Sequence, residues 1–505
     1  MKIRRWALGC CFILAVLAAL PARAQESEIP LPLDRKAIFR TQVPHRNSKI
    51  DTGGGGVSPQ AKPGKPGGGG GSIFTQTPYQ VSSTVAATTT VPAAEPHIVV
   101  DPSNSAVLLG AISDFSQRGG FNTTKYAFSV NGGASWTEQF VPFDEFGVLY
   151  TSDGYAWDAN SDPVVAIDKN RIAYVATLYF DALGLSNGFY VAIGSASDSG
   201  VGFSSIMPVS TNPDLFSQFF EDKPWVTVDN SNNPATTGNV YGCWSRFVGN
   251  ALFGGYTSDF IAFSRSLNHG LTWTAPQHIS SPSHDGAVQG CQVVVGPAGE
   301  VYVTYELYYV GGKRQHWLAK STDGGQTFTA PIAITPLFNE LSFNSTYRKN
   351  SFTSLAVNPV SGYVYVVYAN QGRGGAGAEV VFTRSTTPGG TTFTDAIKIN
   401  DSSTGQQFFP AVTVDSNGRI HAMWFDTRNG GGSNALYDVY ATYSTDNGAT
   451  FGQNARVTPA TIDAGDATFI GDYNGVAASA GHAHPVWTNG GFNNGSMQTS
   501  TLTLP

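Results

Sequence analysis

The segment from Ser321 to Phe328 reads Ser-Thr-Asp-Gly-Gly-Gln-Thr-Phe, and its pattern recurs along the chain. The pattern is Ser-x-Asp/Asn-x-Gly-x-Thr/Ser-aromatic; it returns at 129–136, 266–273 and 444–451, and a longer copy occupies 385–393. Each copy predicts a tight hairpin turn, since the Asp or Asn can bond the backbone two residues on and the Gly can adopt a positive φ. A turn that returns about every 60 residues indicates a repeated structural unit.

A second repeat runs out of phase with the turns. It is an apolar strand that ends in Asp or Asn, as in Asp162 to Asp168 (DPVVAID), followed by a strand rich in Val, Tyr and Trp. Seven copies start at residues 95, 162, 223, 290, 352, 409 and 473. A four-stranded sheet buries too little surface alone, so the copies are expected to pack in a ring. We therefore predict an all-β fold, a β-propeller of seven four-stranded blades.

Two details of the repeat bear on the blade count and on ring closure. The second turn, at 197–200, is degenerate, so six blades are the alternative. The seventh copy lacks an outermost strand, because the chain stops after a third strand at 496–504. The β-rich segment from Tyr79 to Val91 is predicted to supply the missing strand and close the ring.

The N-terminal region divides into two predicted segments ahead of the propeller. Residues 1–24 have a basic start, an apolar run and an Ala-Arg-Ala cleavage site, which predicts a signal peptide. Residues 25–72 are predicted to be a flexible tail and linker, because 51–72 is nearly all Gly, Pro, Ser and Lys. The propeller is assigned to 73–505. We expect a secreted protein, extracellular or periplasmic, with no membrane span.

The composition restricts the partners. The net charge is −7 and only 13% of residues are charged, so a nucleic acid is not expected to bind, because phosphate contacts need clustered Lys and Arg. We expect a monomer. Beyond the signal peptide the cysteines are Cys243 and Cys291, which sit on strands of neighbouring repeats. Export permits a disulfide between them, and two buried free thiols are the alternative.

The residues that precede each inner strand are expected to crowd the axis of the ring. They are Glu95, Asp162, Asp222, Gln289, Ser351, Gln407 and Asp472. Four carboxylates at equivalent positions repel one another unless a calcium ion, a nearby Arg or His, or raised pKa values relieve the repulsion. The alternative is that these residues only cap the inner strands. The repeated turns belong to the opposite face, where their Asp and Asn residues are expected to shape turns and take no part in catalysis.

Further charged residues fall near the ends of the second strands, on the same face as the strand starts. They are Arg246, Glu306, Asp426 and Arg428, and Arg348 leads into the fifth copy. Aromatic residues lie close by, namely Trp225, Trp244, Trp424, Tyr473 and Trp487. Aromatic faces beside carboxylate and guanidinium groups suit sugar binding, and Arg grips a carboxylate with two parallel hydrogen bonds. The alternative for the tryptophans is packing between blades.

The repeated turn resembles the Asp box of sialidase-like β-propellers. The tail 469–475 (FIGDYNG), followed by 484–487 (HPVW), is similar to that of secreted bacterial BNR-repeat proteins, and the resemblance covers roughly residues 80–505. It implies release of terminal sialic acid with retention, by a Tyr nucleophile paired with a Glu, an Asp acid/base and three Arg that clamp the sugar carboxylate. Those enzymes carry Phe/Tyr-Arg-Ile-Pro at the start of the first blade, whereas this chain has Ala94-Glu95-Pro96-His97.

The resemblance and the axial positions together give a predicted site. The catalytic candidates are Asp162, Asp222, Asp472, Tyr473 and Glu306, with Glu221 as the other candidate partner of Tyr473. The substrate-binding candidates are Arg246, Arg348, Arg428, Glu95 and Asp426. No metal ligand is assigned and no cofactor is expected, although calcium is a candidate at the carboxylates.

The sequence therefore predicts a secreted, sialidase-like glycoside hydrolase that acts on terminal sugars, including sialic acid, of a glycan or glycoconjugate. One alternative is a non-catalytic propeller that binds glycans or proteins at its mouth. Another is a different hydrolase or lyase built on the same ring, because a fold does not fix a function.

Overall fold

A computed structural model describes most of the chain beyond the N-terminal region. The described residues are 72–88, 93–115, 123–142, 157, 159–180, 186–214, 217–250, 255–309, 311–372, 377–491 and 495–505. The predicted signal peptide at 1–24 and the predicted linker at 25–72 lie outside these residues, apart from Ser72.

The described residues form β-strands, nearly all of which pair in antiparallel fashion. In chain order they are β1 (Phe74–Gln76), β2 (Gln80–Val81), β3 (Val85–Ala86), β4 (Ala93–Asp101), β5 (Asn104–Asp114), β6 (Thr123–Ser129), β7 (Thr137–Phe140), β8 (Ala159–Ile167), β9 (Ile172–Phe180), β10 (Asn187–Ser197), β11 (Gly200–Asn212), β12 (Phe219–Val228), β13 (Val240–Asn250), β14 (Gly255–Ser266), β15 (Gln277–His278), β16 (Val288–Val295), β17 (Val301–Tyr309), β18 (Lys313–Ser321), β19 (Ile332–Ala333), β20 (Phe338–Asn339), β21 (Ser354–Val357), β22 (Val364–Gln371), β23 (Ala378–Arg384), β24 (Ile397–Lys398), β25 (Gln407–Val414), β26 (Ile420–Asp426), β27 (Leu436–Ser444), β28 (Phe451–Gly452), β29 (Ala455–Arg456), β30 (Ile462–Asp463), β31 (Gly475–Ser479), β32 (His482–Asn489), β33 (Ser496–Thr499) and β34 (Leu502–Thr503). A 3₁₀ turn, Pro282–His284, precedes β16.

Among the described residues, seven sheets are the seven blades of a propeller, and an additional two-stranded sheet pairs β1 with β28. Blades 1 to 3 have the orders β4-β5-β6-β7, β8-β9-β10-β11 and β12-β13-β14-β15. Blades 4 to 6 have the orders β16-β17-β18-β19, β21-β22-β23-β24 and β25-β26-β27-β29. The seventh blade is built on β31, β32 and β33. The predicted seven-bladed all-β fold is confirmed, and the six-bladed alternative is wrong.

Residues 74–86 precede blade 1, and we call them the N-terminal segment. This segment completes the seventh blade. Strand β3 pairs with β33, and β2 pairs with β34, so that Gln80 lies opposite Thr503 and Val85 opposite Thr499. The predicted closure of the ring by the segment that starts at Tyr79 is therefore confirmed. Strands β2 and β3 therefore share one sheet with β33 and β34, which removes an exposed edge.

The same segment is also fixed to blade 6. Strand β1 pairs in parallel with β28, and the Tyr443 hydroxyl donates a hydrogen bond of 2.7 Å to the Thr77 carbonyl. The Tyr79 hydroxyl lies 2.5 Å from Nδ1 of His421, and its ring packs 4.8 Å from the Tyr443 ring. The N-terminal segment therefore joins blades 6 and 7.

The inner strands share a bulge near their beginning. In blades 1, 2, 3, 4 and 6 the register shifts by one residue there, and the bulged residue has a positive φ. The φ values are 65° at Glu95, 58° at Asp162, 52° at Lys223, 67° at Gly290 and 49° at Phe409. Four of these five residues precede a proline in the sequence, Gly290 being the exception. A bulge re-aims a side chain, and positive φ in non-glycine residues marks stored strain.

The repeated turns join the third and fourth positions of a blade, as the sequence predicted. Their hydrogen bonding differs from the expectation. In the turn that follows β18, Asp323 Oδ1 accepts from the Thr327 amide at 2.9 Å, four residues on, and it is the Ser321 hydroxyl that accepts from the amide two residues on. The bond to the amide two residues on belongs instead to the Asp or Asn that ends an inner strand, as between Asp168 and Asn170.

The apolar core lies between neighbouring blades. Trp244, Trp424 and Trp487 are fully buried there, so these three side chains are core residues that pack between blades. Cys243 on β13 and Cys291 on β16 form a disulfide that joins blades 3 and 4, with their Cα atoms 6.3 Å apart. Within the described residues, no helix has the length and apolar character needed to span a bilayer.

Candidate functional site

The axis of the ring carries a cluster of ion pairs built around Lys223. Its Nζ lies 3.1 Å from Glu95 Oε1, 3.2 Å from Asp162 Oδ2, and in direct contact with Asp472 Oδ2. These residues belong to blades 3, 1 and 2 and to the segment that enters blade 7. All four side chains are at most 10% exposed. We call this group, together with Asp222, Arg348 and Tyr473, the axial cluster.

Arg348 adds a second positive charge to the axial cluster. Its Nε donates to Asp472 Oδ1 at 2.7 Å and its Nη2 donates to Asp472 Oδ2, so the pair is bidentate. The guanidinium also lies 4.6 Å from the centre of the Phe469 ring. Asn350 Nδ2 supports the same acid by donating to its carbonyl at 3.1 Å. Because Arg348 lies ahead of blade 5, the cluster connects five of the seven blades.

Asp222 differs from the other axial acids because its side chain is partly exposed. Burial is the main cause, and the charges of Asp162 and Asp472 add to it; together they raise the pKa of Asp222 to about 6 against the opposing effect of Lys223 and Arg348. A carboxyl group of this kind can donate a proton near neutral pH.

Tyr473 lines the cluster on one side. Its hydroxyl donates to the Pro163 carbonyl at 3.0 Å, and its ring meets the Trp225 ring with 6.0 Å between centres. Trp225 in turn packs edge to face with His97 at 5.0 Å. Burial, followed by the charges of the axial carboxylates, raises the pKa of Tyr473 well above its usual value. The hydroxyl is therefore protonated at neutral pH.

Two of the predicted arginines lie in ion pairs of their own. Arg246 Nη2 is 2.6 Å from Glu221 Oε1 and 2.7 Å from the Ser210 hydroxyl. Arg428 Nη2 is 2.7 Å from Asp426 Oδ2, and its Nη1 is 2.6 Å from Asp401 Oδ1. The three candidate arginines thus share no carboxylate partner: Arg246 binds Glu221, Arg348 binds Asp472, and Arg428 binds both Asp401 and Asp426.

Glu306 also has separate partners. Arg314 Nε lies 2.9 Å from its Oε1, and His316 Nε2 lies 3.6 Å from its Oε2. Arg314 forms a second ion pair, in which its Nη2 lies 2.5 Å from Glu340 Oε1. Of the predicted site residues, the structure brings together Glu95, Asp162, Asp222, Asp472, Tyr473 and Arg348. It places Glu306, Arg246, Arg428 and Asp426 in other ion pairs.

Lys223 was missed as a site residue by the sequence reasoning. A signal was present, because Lys223-Pro224 occupies the same repeat position as Glu95-Pro96 and Asp162-Pro163. A basic residue at a position that holds an acid in blades 1 and 2 indicates an ion pair across the axis. The sequence did anticipate that a positive group must relieve the repulsion between the axial acids.

The calcium candidate does not fit the axial cluster. The Lys223 ammonium already lies among the three carboxylates that a calcium ion would need as ligands. Among the residues that the structure describes, no group of three or more His, Cys, Asp and Glu side chains has the arrangement of a metal site. These features define a seven-bladed β-propeller with a charged axial site.

Comparisons with known proteins give distant likenesses. No protein-family model matches the sequence, and no curated protein matches it. Among solved structures, the chain is similar to a Dyadobacter fermentans protein of unknown function, with 14% identity, a TM-score of 0.47, and 85% and 99% of the two chains covered.

Two enzymes are similar to a comparable degree. An α-L-arabinanase of Penicillium chrysogenum, complexed with arabinobiose, has 11% identity and a TM-score of 0.45 over 84% of this chain and 99% of that chain. A sialidase of Trypanosoma rangeli has 13% identity and a TM-score of 0.40 over 74% and 59%. None of the three is similar enough to assign an activity to this chain.

Proposed function

We propose that this protein is a glycoside hydrolase that acts on the terminal sugars of a glycan, with Asp222 as the general acid. The observation that carries the proposal is Asp222 itself. It is a partly exposed carboxyl group at the ring axis whose pKa is raised to about 6. Cleavage of a glycosidic bond needs a carboxylic acid that remains protonated near neutral pH to protonate the leaving oxygen.

The reaction also needs a second, ionised carboxylate, and the axial cluster supplies two candidates. Asp162 and Asp472 each contact the Lys223 ammonium, and Asp472 also contacts the Arg348 guanidinium. Hydrogen bonds from positive groups favour the charged form of a carboxylate. One of these two acids would activate water or stabilise the positive charge that develops on the sugar.

The aromatic side chains beside the acids support a sugar as the ligand. Tyr473 and Trp225 are partly exposed and adjoin one another at the axis. A sugar ring presents apolar C–H faces that pack on aromatic rings while its hydroxyl groups bind the polar groups nearby. The sialic acid predicted from the resemblance belongs among the substrates to be tried.

A second candidate function, a non-catalytic propeller that binds glycans or proteins, has its own supporting observations. The Tyr473 hydroxyl donates a hydrogen bond to the Pro163 carbonyl, and its pKa is strongly raised. Both features oppose a role of Tyr473 as nucleophile. Arg348 holds Asp472 in a bidentate pair instead of presenting both N–H groups to a ligand. A propeller that only binds its ligand requires neither a tyrosine nucleophile nor an unpaired Arg348, so both features are compatible with this second function.

We further propose that the protein is secreted. The support is the sequence of residues 1–24, with its basic start, apolar run and small-residue cleavage site. The disulfide between Cys243 and Cys291 suits an oxidising compartment. The test is whether the mature N-terminus of exported protein begins after Ala24.

The catalytic proposal is tested by incubating the purified mature chain with fluorogenic glycosides. The panel holds neutral hexosides, pentosides and a sialoside, and each is assayed with wild-type protein and with Asp222→Asn. Release of one sugar by wild-type protein, lost at least 100-fold in Asp222→Asn, supports the hydrolase. Absence of turnover together with binding of an immobilised glycan supports the second candidate.

A further inference from the structure

The Lys223 ammonium has as many N–H donors as there are buried acids around it. An ammonium carries three N–H donors and no acceptor. Its three acidic neighbours are Glu95 at 3.1 Å, Asp162 at 3.2 Å and Asp472 in direct contact. Asp222, the adjacent residue in the chain, is the axial acid that has no ion pair with Lys223 among these contacts.

The local backbone explains why the fourth acid is left out. Lys223 is the bulged residue of β12, with φ at 52°, and Asp222 pairs with Ser245 on the neighbouring strand. Glu95 and Asp162 occupy the equivalent bulges of blades 1 and 2. The side chains of the three bulged residues therefore meet, whereas Asp222 lies one position earlier in its strand.

We propose that Lys223 is a positioning residue that fixes negative charge on Glu95, Asp162 and Asp472, so that the exchangeable proton of the axial cluster resides on Asp222. This inference rests on the proposed function in that it selects which acid donates the proton. Charge-assisted hydrogen bonds hold three carboxylates in the ionised form, and the carboxyl group that lacks one takes the proton.

The surroundings of Asp222 agree with this assignment. The charged groups that face it are Lys223, Asp162, Arg348 and Asp472, and burial together with the two acids outweighs the two cations. Because these groups interact, they titrate as a set, and the proposal concerns which member holds the proton at equilibrium.

The test counts protonated carboxyl groups by infrared spectroscopy across pH 4 to 8 and does not need turnover. Wild-type protein is expected to show a carboxyl band that titrates near pH 6 and disappears in Asp222→Asn. Asp259→Asn is the matched control: Asp259 is buried in blade 3, and burial raises its pKa to about 7. That variant is expected to lose a different band and keep the first.

Lys223→Met is then expected to add one protonated carboxyl group at pH 6, and the added band is expected to persist in the double variant Lys223→Met/Asp222→Asn. The inference is overturned if the band near pH 6 survives in Asp222→Asn, or if folded Lys223→Met gains no protonated carboxyl group. If Lys223→Met does not fold, as judged by circular dichroism, Lys223→Gln takes its place with the same expected gain of one protonated carboxyl group, and Asp222→Asn, which retains every ion pair of Lys223, still decides where the proton resides. Absence of hydrolysis would remove the proposed function and leave this readout intact.

Discussion

Arg348 and Asp472 form a bidentate ion pair across 124 residues of sequence, with Nε to Oδ1 at 2.7 Å. Arg348 lies ahead of blade 5 and Asp472 ahead of blade 7, so the pair spans blade 6 at the axis of the ring. Lys223 joins the same acid to blade 3. The axial cluster is therefore both the proposed site and a set of cross-links between blades, and its residues affect stability as well as function.

Replacement of Arg348 by Met is expected to lower the free energy of unfolding by about 2 to 3 kcal/mol, because Asp472 stays buried with one positive partner fewer. The measurement is equilibrium denaturation with urea. Arg384→Met is the matched control, since Arg384 ends β23, the third strand of blade 5, and lies over the Tyr363 ring, and a change within about 0.5 kcal/mol is expected. Equal effects of the two variants would contradict the importance of the axial pair.

Asp323→Ala separates the repeated turns from the site. The variant loses the hydrogen bonds from Thr327 and Ser321 that organise the turn, and a loss of about 1 to 2 kcal/mol is expected in thermal denaturation. Glycoside hydrolysis is expected to keep its wild-type kcat/KM, because the turn belongs to the face away from the axial acids. Asp466→Ala, at an exposed position, serves as control. A tenfold loss of kcat/KM in Asp323→Ala would place function at the turns.

The Cys243–Cys291 disulfide closes a loop with a sequence separation of 48 residues between two blades. Replacing both cysteines by Ala is expected to lower the free energy of unfolding by about 2 to 4 kcal/mol, mainly through the greater freedom of the unfolded chain. Urea denaturation of the variant and of the wild type, each with and without reductant, measures the effect. Reductant is expected to destabilise the wild type alone, and an equal response of both proteins would contradict the bond.

The buried histidine His284 predicts a loss of stability in acid. Burial lowers its pKa to about 4, below the unfolded value of 6.5, so the folded state binds fewer protons. The stability that neutral His284 contributes is present above pH 6.5 and decreases as the pH is lowered, by about 2 kcal/mol between pH 7 and pH 5. Urea denaturation of His284→Gln is expected to show a smaller pH dependence than wild type. His482→Gln, at an exposed position, is expected to behave as wild type.

The fold could be predicted from sequence because its signals are local and repeated. The turn at 321–328 and its copies fixed the period, and the missing strand of the last copy pointed to the segment that starts at Tyr79. The bulges were not predicted, because the left-handed backbone at Glu95, Asp162 and Lys223 arises from strand pairing within each blade.

The site was harder to predict because its contacts join residues that are far apart in sequence. The repeat placed Glu95, Asp162, Asp222 and Asp472 at strand starts that converge on an axis. The expectation that these four positions are equivalent is wrong, because Glu95 and Asp162 are the bulged residues of their strands whereas Asp222 precedes the bulge at Lys223. It could not give the pairing of charges, which depends on the reach of individual side chains. Arg246 and Arg428 share a strand end with the axial acids, yet their guanidinium groups bind Glu221 and Asp426.

The pH dependence of kcat/KM shows whether Asp222 donates the proton in glycoside hydrolysis. With the glycoside that turns over best, wild-type protein is expected to lose activity above about pH 6, as Asp222 ionises. Asp222→Asn is expected to be at least 100-fold slower and to lack this alkaline limb, while Asp259→Asn retains the wild-type profile. Wild-type rates in Asp222→Asn, or an unchanged alkaline limb in that variant, would exclude Asp222 as the general acid.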